Sequence, residues 1–116
     1  MKQLPPTPPG NNRRLDLSLL TGKITFNDLS RLTDQPLPSQ IDSLKEDLLQ
    51  VEYGEHLLLD VGWYPEFDKS GAFQVMVIKG QNWDDPQWTG RARTLAQLSA
   101  CLTEAQRELY AWLDQP

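Results

Sequence analysis

The chain contains one histidine and one cysteine among its 116 residues. A single histidine, His56, cannot supply the imidazole pair of a metal site, and a single cysteine, Cys101, excludes an internal disulfide. No nucleophile signature of a hydrolase accompanies His56, which is predicted to be a surface turn residue. The glycines stand singly and form no phosphate-binding loop before a helix. We therefore predict that the chain is not an enzyme and binds no metal or cofactor.

A long apolar run and a basic stripe are also missing. No hydrophobic segment approaches the roughly 20 residues that span a bilayer. The first 14 residues contain Pro and Asn where a secretion signal is apolar, so we expect a cytoplasmic protein without a membrane anchor. Residues 15–116 hold 8 Lys plus Arg against 16 Asp plus Glu, a net charge of −8. Such a domain repels phosphate backbones, and nucleic-acid binding is not expected.

The remaining composition is typical of one folded domain. The hydrophobic fraction is 39% and the charged fraction 23%, and 116 residues are enough to build a single core. Residues 1–14 contain four prolines and show no apolar periodicity, which predicts a disordered, Pro-rich leader. Residues 15–116 are predicted to form a single α+β domain.

Short elements are predicted at the start of this domain. Apolar alternation over residues 15–19 favours a strand. A cap at Thr25 and helical spacing over residues 26–32 predict a helix of two turns. A second short helix is predicted over residues 41–48, after the cap residue Ser39.

The centre of the chain predicts an antiparallel meander of about four strands. Strands are expected at residues 48–53 and 57–64, then around residues 73–77 and 87–93. A two-residue turn after Tyr53 would place apolar side chains of the first hairpin beside polar ones. A three-residue loop places the apolar side chains of both strands on one face. We favour this loop because a slip of one residue would turn every side chain to the opposite face.

A C-terminal helix is predicted to cover this sheet. Thr94 with Gln97 forms a capping box, and a second box at Thr103 leaves open a break near Leu102. We favour one unbroken helix. Trp112 on this helix and Trp63 on the sheet are both predicted to occupy core positions. Its apolar stripe consists of Leu95, Leu98, Leu102, Ala105, Leu109 and Trp112.

Charge is segregated along the chain. Residues 52–68 carry five carboxylates and no Lys or Arg, and their aromatic side chains include Trp63, Tyr64 and Phe67. Negative potential combined with large side chains suits a basic protein partner. The carboxylates predicted to bind that partner are Glu52, Glu55, Asp60, Glu66, Asp68, Asp84 and Asp85, and the predicted aromatic anchors are Tyr64, Trp83 and Trp88.

Each of these residues also has a simpler interpretation. Alternation turns Asp60 to the sheet face opposite the core, where it is either solvated or covered by another element, a partner or a second copy in a homodimer. Asp84 and Asp85 are adjacent on a polar connection, where carboxylates are usually solvated rather than catalytic. Trp83 and Trp88 are equally compatible with interface anchors and with caps on the end of the core.

Part of the chain resembles small bacterial immunity proteins of contact-dependent inhibition and other polymorphic toxin systems. The similarity lies in LKEDLLQVEY at residues 44–53, LLLDVGWYPEFDKSGAFQVMVIK at residues 57–79, and Trp-Asp-Asp-Pro at residues 83–86. It implies stoichiometric binding of a toxin domain in the producing cell's cytoplasm, at the toxin's active site or an adjacent surface. The acidic domain favours a basic toxin, such as a nuclease. A regulatory adaptor for another cytoplasmic protein and a small enzyme with a carboxylate site are the alternatives.

Overall fold

The fold is a five-stranded antiparallel sheet with one helix on one face, as the computed structural model describes it for residues 15–114. The predicted α+β class is confirmed, with five strands instead of about four, and the predicted leader lies outside the described residues. The strand order follows the sequence, β1-β2-β3-β4-β5. The strands are β1 (Lys23–Asn27), β2 (Leu49–Tyr53), β3 (Leu57–Tyr64), β4 (Ala72–Lys79) and β5 (Trp88–Ala92); the helix is α1 (Leu95–Leu113), and two short 3₁₀ helices are Leu29–Arg31 and Leu37–Ser43.

The predicted register of both central hairpins is confirmed. Tyr53 pairs with Leu57 across a three-residue turn, and Trp63 pairs with Phe73 in the next hairpin. Gly54 has a φ of 72° in that turn, a value that glycine adopts without steric cost. The pairing places one row of apolar side chains from β2, β3 and β4 on the face that α1 covers.

Helix α1 is unbroken and begins at the predicted cap. The backbone N–H of Gln97 donates to Thr94 Oγ1 at 3.0 Å. Four residues of the apolar stripe are fully buried, and Leu95 and Trp112 are half-buried at the two ends. Opposite the helix, Trp63 and Phe73 pack edge to face with ring centroids 4.9 Å apart. The core therefore lies between α1 and one face of the sheet.

The structure differs from the prediction over residues 26–32 and 41–48. Residues 23–27 form β1 because they pair with β2, and only Leu29–Arg31 makes a 3₁₀ turn. The second predicted helix is displaced: a 3₁₀ helix spans Leu37–Ser43, and residues 44–48 are irregular, with a bend at Glu46. Apolar residues three apart fit a 3₁₀ turn as well as an α-helix, so pairing with the sheet decided between them.

The strand predicted over residues 15–19 is wrong. The segment contains a turn, in which the N–H of Leu20 donates to the carbonyl of Leu17 at 3.0 Å. The N–H of Ser18 also donates to Asp16 Oδ1 at 2.9 Å, an arrangement that favours turns over strands. The alternating leucines instead pack, half-buried, against the edge of the core.

A β-bulge interrupts the pairing of the edge strand β1 with β2. The register shifts between Ile24, which lies opposite Val51, and Phe26, which lies opposite Gln50. The two apolar side chains consequently belong to opposite faces of the sheet, and both are exposed.

One glutamine joins the N-terminal segment, the sheet and the helix. Gln106 Oε1 on α1 accepts from the N–H of Thr21 at 2.8 Å and from the hydroxyl of Tyr53 at 2.6 Å. Its Nε2 donates to the carbonyl of Leu19 at 2.7 Å. Burial raises the pKa of Tyr53, so the phenol stays protonated and keeps donating. The amide thus satisfies three polar groups that would otherwise lie unpaired beside the core.

Replacing Gln106 with Leu should lower the free energy of unfolding by about 1–3 kcal/mol, because a buried donor or acceptor left without a partner has a cost of that order. Chemical denaturation monitored by tryptophan fluorescence measures the loss. Arg107→Leu, one residue along on the exposed side of α1, is the matched control and should leave stability within about 0.5 kcal/mol of the wild type. Equal effects of the two substitutions would show that the three hydrogen bonds do not join the segments.

Candidate functional site

The sheet face opposite α1 carries the candidate site. Alternation along β2, β3 and β4 turns Glu52, Asp60, Tyr64 and Met76 to this second face, where Leu58 and Ile78 also lie. The face mixes apolar side chains with carboxylates, and α1 does not cover it.

Asp60 is a buried carboxyl group in the middle of this face. Its side chain is 4% exposed and accepts one hydrogen bond, from Gln50 Nε2 at 3.3 Å. Burial raises its pKa to about 6, the hydrogen bond from Gln50 opposes the shift, and the negative charge of Asp47 adds to it. Near neutral pH the carboxylate is ionised, and the hydrogen bond from Gln50 offsets only part of the cost of burying its charge.

Residues 44–48 bring further carboxylates to Asp60. The N–H of Leu48 donates to the carbonyl of Val61 at 3.0 Å, and the N–H of Trp63 donates to the carbonyl of Lys45 at 2.7 Å. These two hydrogen bonds hold residues 44–48 beside β3. A side chain at Gly62 would collide with the backbone carbonyl of Glu46, so only glycine allows this approach. Glu46 and Asp47 are thereby held next to the end of β3, with their side chains exposed.

The negative charges of these carboxylates all affect the pKa of Tyr64. Its pKa is raised first by burial and then by the negative charges of Asp60, Glu46 and Asp47. Glu66 joins the group because its Oε1 accepts from the backbone N–H of Glu46 at 3.2 Å. We call this group the acidic corner; it consists of Glu46, Asp47, Asp60, Tyr64 and Glu66.

Lys45, the cation closest in sequence to the acidic corner, pairs with Asp28 at 3.3 Å. Within residues 15–114, no ion pair reaches a carboxylate of the acidic corner. Beside Tyr64 the second face opens into a cleft of about 410 Å³, which Gln74, Thr89 and Arg91 also line. A charged surface thus borders a concave one.

The predicted binding residues fall into separate groups. Glu52, Asp60 and Tyr64 lie on the second face, and Glu66 and Asp68 lie in the β3–β4 connection at one end of the sheet. The other end of the sheet, separated from the first by the length of β3 (roughly 26 Å at about 3.3 Å per residue), carries Glu55, Trp83, Asp84 and Asp85. The structure does not bring the 83–88 connection together with the acidic end of the hairpin.

Two of the predicted residues have structural contacts of their own. Asp68 Oδ1 accepts from the N–H and the hydroxyl of Ser70 at 2.8 and 2.7 Å, which lowers the pKa of Asp68 and uses its charge within the loop. Trp88 packs half-buried against the core, with its ring across Gly90, so it caps the core. Trp83, in contrast, is 43% exposed.

Glu46 and Asp47 are members of the acidic corner that the sequence did not reveal. Both precede the acidic stretch and lie in a segment predicted to be helical, where their side chains would have pointed elsewhere. Only the irregular path of residues 44–48 beside β3 brings them to Asp60. No sequence pattern marked this path, although an isolated Gly62 inside a strand is one sign of a close backbone approach.

The acidic corner does not converge as a metal site does. Among the described residues, no group of three His, Cys, Asp or Glu side chains could hold a metal ion. Within the same part of the chain, no helix has the length and apolar character needed to cross a membrane. The carboxylates are spread over a surface, an arrangement that suits contact with another macromolecule.

Comparisons with protein-family models, curated proteins and solved structures gave no match for this chain. The similarity to immunity proteins noted in the sequence therefore stays a prediction.

Asp60→Asn should stabilise the protein at neutral pH. Folding raises the pKa of Asp60 from 3.8 to about 6, so its ionisation opposes folding fully above pH 6 and not at all below about pH 4. Removing the charge should raise the free energy of unfolding at pH 7.5 by up to about 3 kcal/mol, with no gain near pH 4. Urea denaturation at both pH values measures the difference.

Glu52→Gln removes an exposed carboxylate from the same face and is the matched control. It should change stability little and equally at both pH values. If Asp60→Asn showed the same small, pH-independent effect, Asp60 would be solvated in the folded protein.

Proposed function

We propose that this chain is a toxin-neutralising immunity protein that binds a basic toxin domain stoichiometrically through the acidic corner. The observation that carries the proposal is the gathering of four carboxylates near Tyr64, none of which forms an ion pair within residues 15–114. The carboxylates repel one another in the free protein, and cationic side chains of a bound partner would attract each of them and offset that repulsion. The similarity of residues 44–90 to immunity proteins supports the same conclusion.

A basic toxin of the nuclease class fits this surface best. An enzyme that cleaves nucleic acid carries Lys and Arg where phosphates bind, and carboxylates spaced over a surface can occupy those positions. The negative field of the domain also speeds the encounter, which matters because the toxin must be captured before it acts. Binding takes place in the cytoplasm of the producing cell.

The acidic corner is favoured over the opposite end of the sheet. Asp84 and Asp85 are exposed and have no ion pair within residues 15–114, and Glu55 lies on the neighbouring turn. The acidic corner has the higher local charge, together with a half-buried tyrosine and an adjoining cleft.

Co-expression with the product of the neighbouring gene tests the proposal. We expect that product alone to arrest growth, the pair to grow normally, and the two proteins to co-purify at a ratio of one to one. Growth arrest despite expression of both chains would contradict the proposal. Co-purification with a neighbouring product that is not toxic would indicate a regulatory adaptor instead.

Charge-reversal variants distinguish binding at the acidic corner from binding at the opposite end of the sheet. Glu46→Lys combined with Asp47→Lys should slow association with the toxin domain by about tenfold or more at low salt and flatten its salt dependence, because steering depends on local charge. Stopped-flow fluorescence over a range of ionic strength measures both effects.

Asp84→Lys combined with Asp85→Lys changes the net charge equally at the other end and is the matched control. It should have the smaller effect on the association rate. A slower rate for this pair than for the Glu46 and Asp47 pair would place the toxin at the 83–88 connection.

A further inference from the structure

The β3–β4 connection exposes an aromatic side chain on an unfavoured backbone. Phe67 is 51% exposed, the highest value for a large hydrophobic residue within residues 15–114. Its φ is 60°, in the left-handed region that bulky residues rarely adopt. Neither property favours folding, since about half of the residue stays exposed and the backbone is strained.

The loop around Phe67 is held firmly by its neighbours. The N–H of Phe67 donates to the carbonyl of Leu44 at 2.8 Å, and Trp63 Nε1 in the core donates to the carbonyl of Asp68 at 2.8 Å. From β5, Arg93 Nη2 donates to the carbonyl of Ser70 at 2.6 Å. These contacts hold the backbone of the loop in place, so the partly exposed side chain of Phe67 is carried on a fixed backbone. Strain maintained in this way is typical of positions that contact a ligand.

The ring stands beside the acidic corner. Glu66 precedes Phe67 and accepts from the backbone of Glu46, while Leu44, which fixes Phe67, belongs to the segment that carries Glu46 and Asp47. An apolar ring next to uncompensated carboxylates has the composition of an interface hot spot, in which an aromatic anchor is surrounded by polar groups.

We propose that Phe67 is the central anchor of the interface and inserts into an apolar pocket on a basic protein domain. Lys and Arg side chains at the rim of that pocket pair with Glu46, Asp47 and Glu66. The occupant is a basic partner and not a second copy of this chain, because two acidic corners facing each other would repel. The inference rests on the proposed function and adds the apolar pocket that the partner must contain.

Three variants test the role of Phe67, and each is titrated calorimetrically against the purified product of the neighbouring gene. Phe67→Ala removes the ring. Phe67→Gly removes the ring and also relieves the positive φ, so its Tm should equal or exceed that of the wild type while binding is weakened. Trp83→Ala removes an aromatic residue of similar exposure at the opposite end of the sheet and is the matched control.

We expect Phe67→Ala and Phe67→Gly to raise Kd by about 30-fold or more, the size of a hot-spot effect, and Trp83→Ala to raise it less than threefold. Wild-type binding with an unchanged Kd for both Phe67 variants would overturn the inference and leave the proposed function standing. No binding by the wild-type chain would overturn both. A large fall in the Tm of Phe67→Gly would also contradict it, because the ring would then be part of the folded core.

Discussion

The close approach of residues 44–48 to β3 is the constraint on which the rest of the candidate site depends. Three backbone hydrogen bonds fix it, from Leu48 to Val61, from Trp63 to Lys45 and from Phe67 to Leu44. The buried leucines of this segment enter the core on the helix side, while its carboxylates stay exposed beside Asp60. One stretch of backbone thus completes the core, gathers the acidic corner and holds the loop that presents the aromatic ring.

The two faces of the sheet have different physical roles. The face under α1 contains the continuous apolar core and provides the favourable free energy of folding. The second face contains a buried, sparsely hydrogen-bonded carboxyl group and a set of mutually repelling charges, which reduce that free energy. Because the continuous core cluster lies on the helix side, the second face can carry groups that are unfavourable in the folded protein.

The sequence predicted the parts of the fold whose periodicity is unambiguous. The register of β2, β3 and β4 and the start of α1 followed from alternation and from the Thr94 cap, because a half-buried strand and an amphipathic helix leave clear patterns. The N-terminal elements were not predictable in this way, since the 3₁₀ turns and β1 are short and their form depends on pairing with β2. For the site, Asp60 and Tyr64 were identified by their strand positions, whereas Glu46 and Asp47 depended on an irregular path that no local pattern encodes.

The bulge in β1 has a consequence for aggregation at high protein concentration. An outer strand with exposed Ile24 and Phe26 would ordinarily template the addition of strands from other chains. The register shift at Thr25 interrupts the regular ladder that such addition requires and twists the strand locally. The irregular edge thereby disfavours edge-to-edge joining of copies into fibrous aggregates.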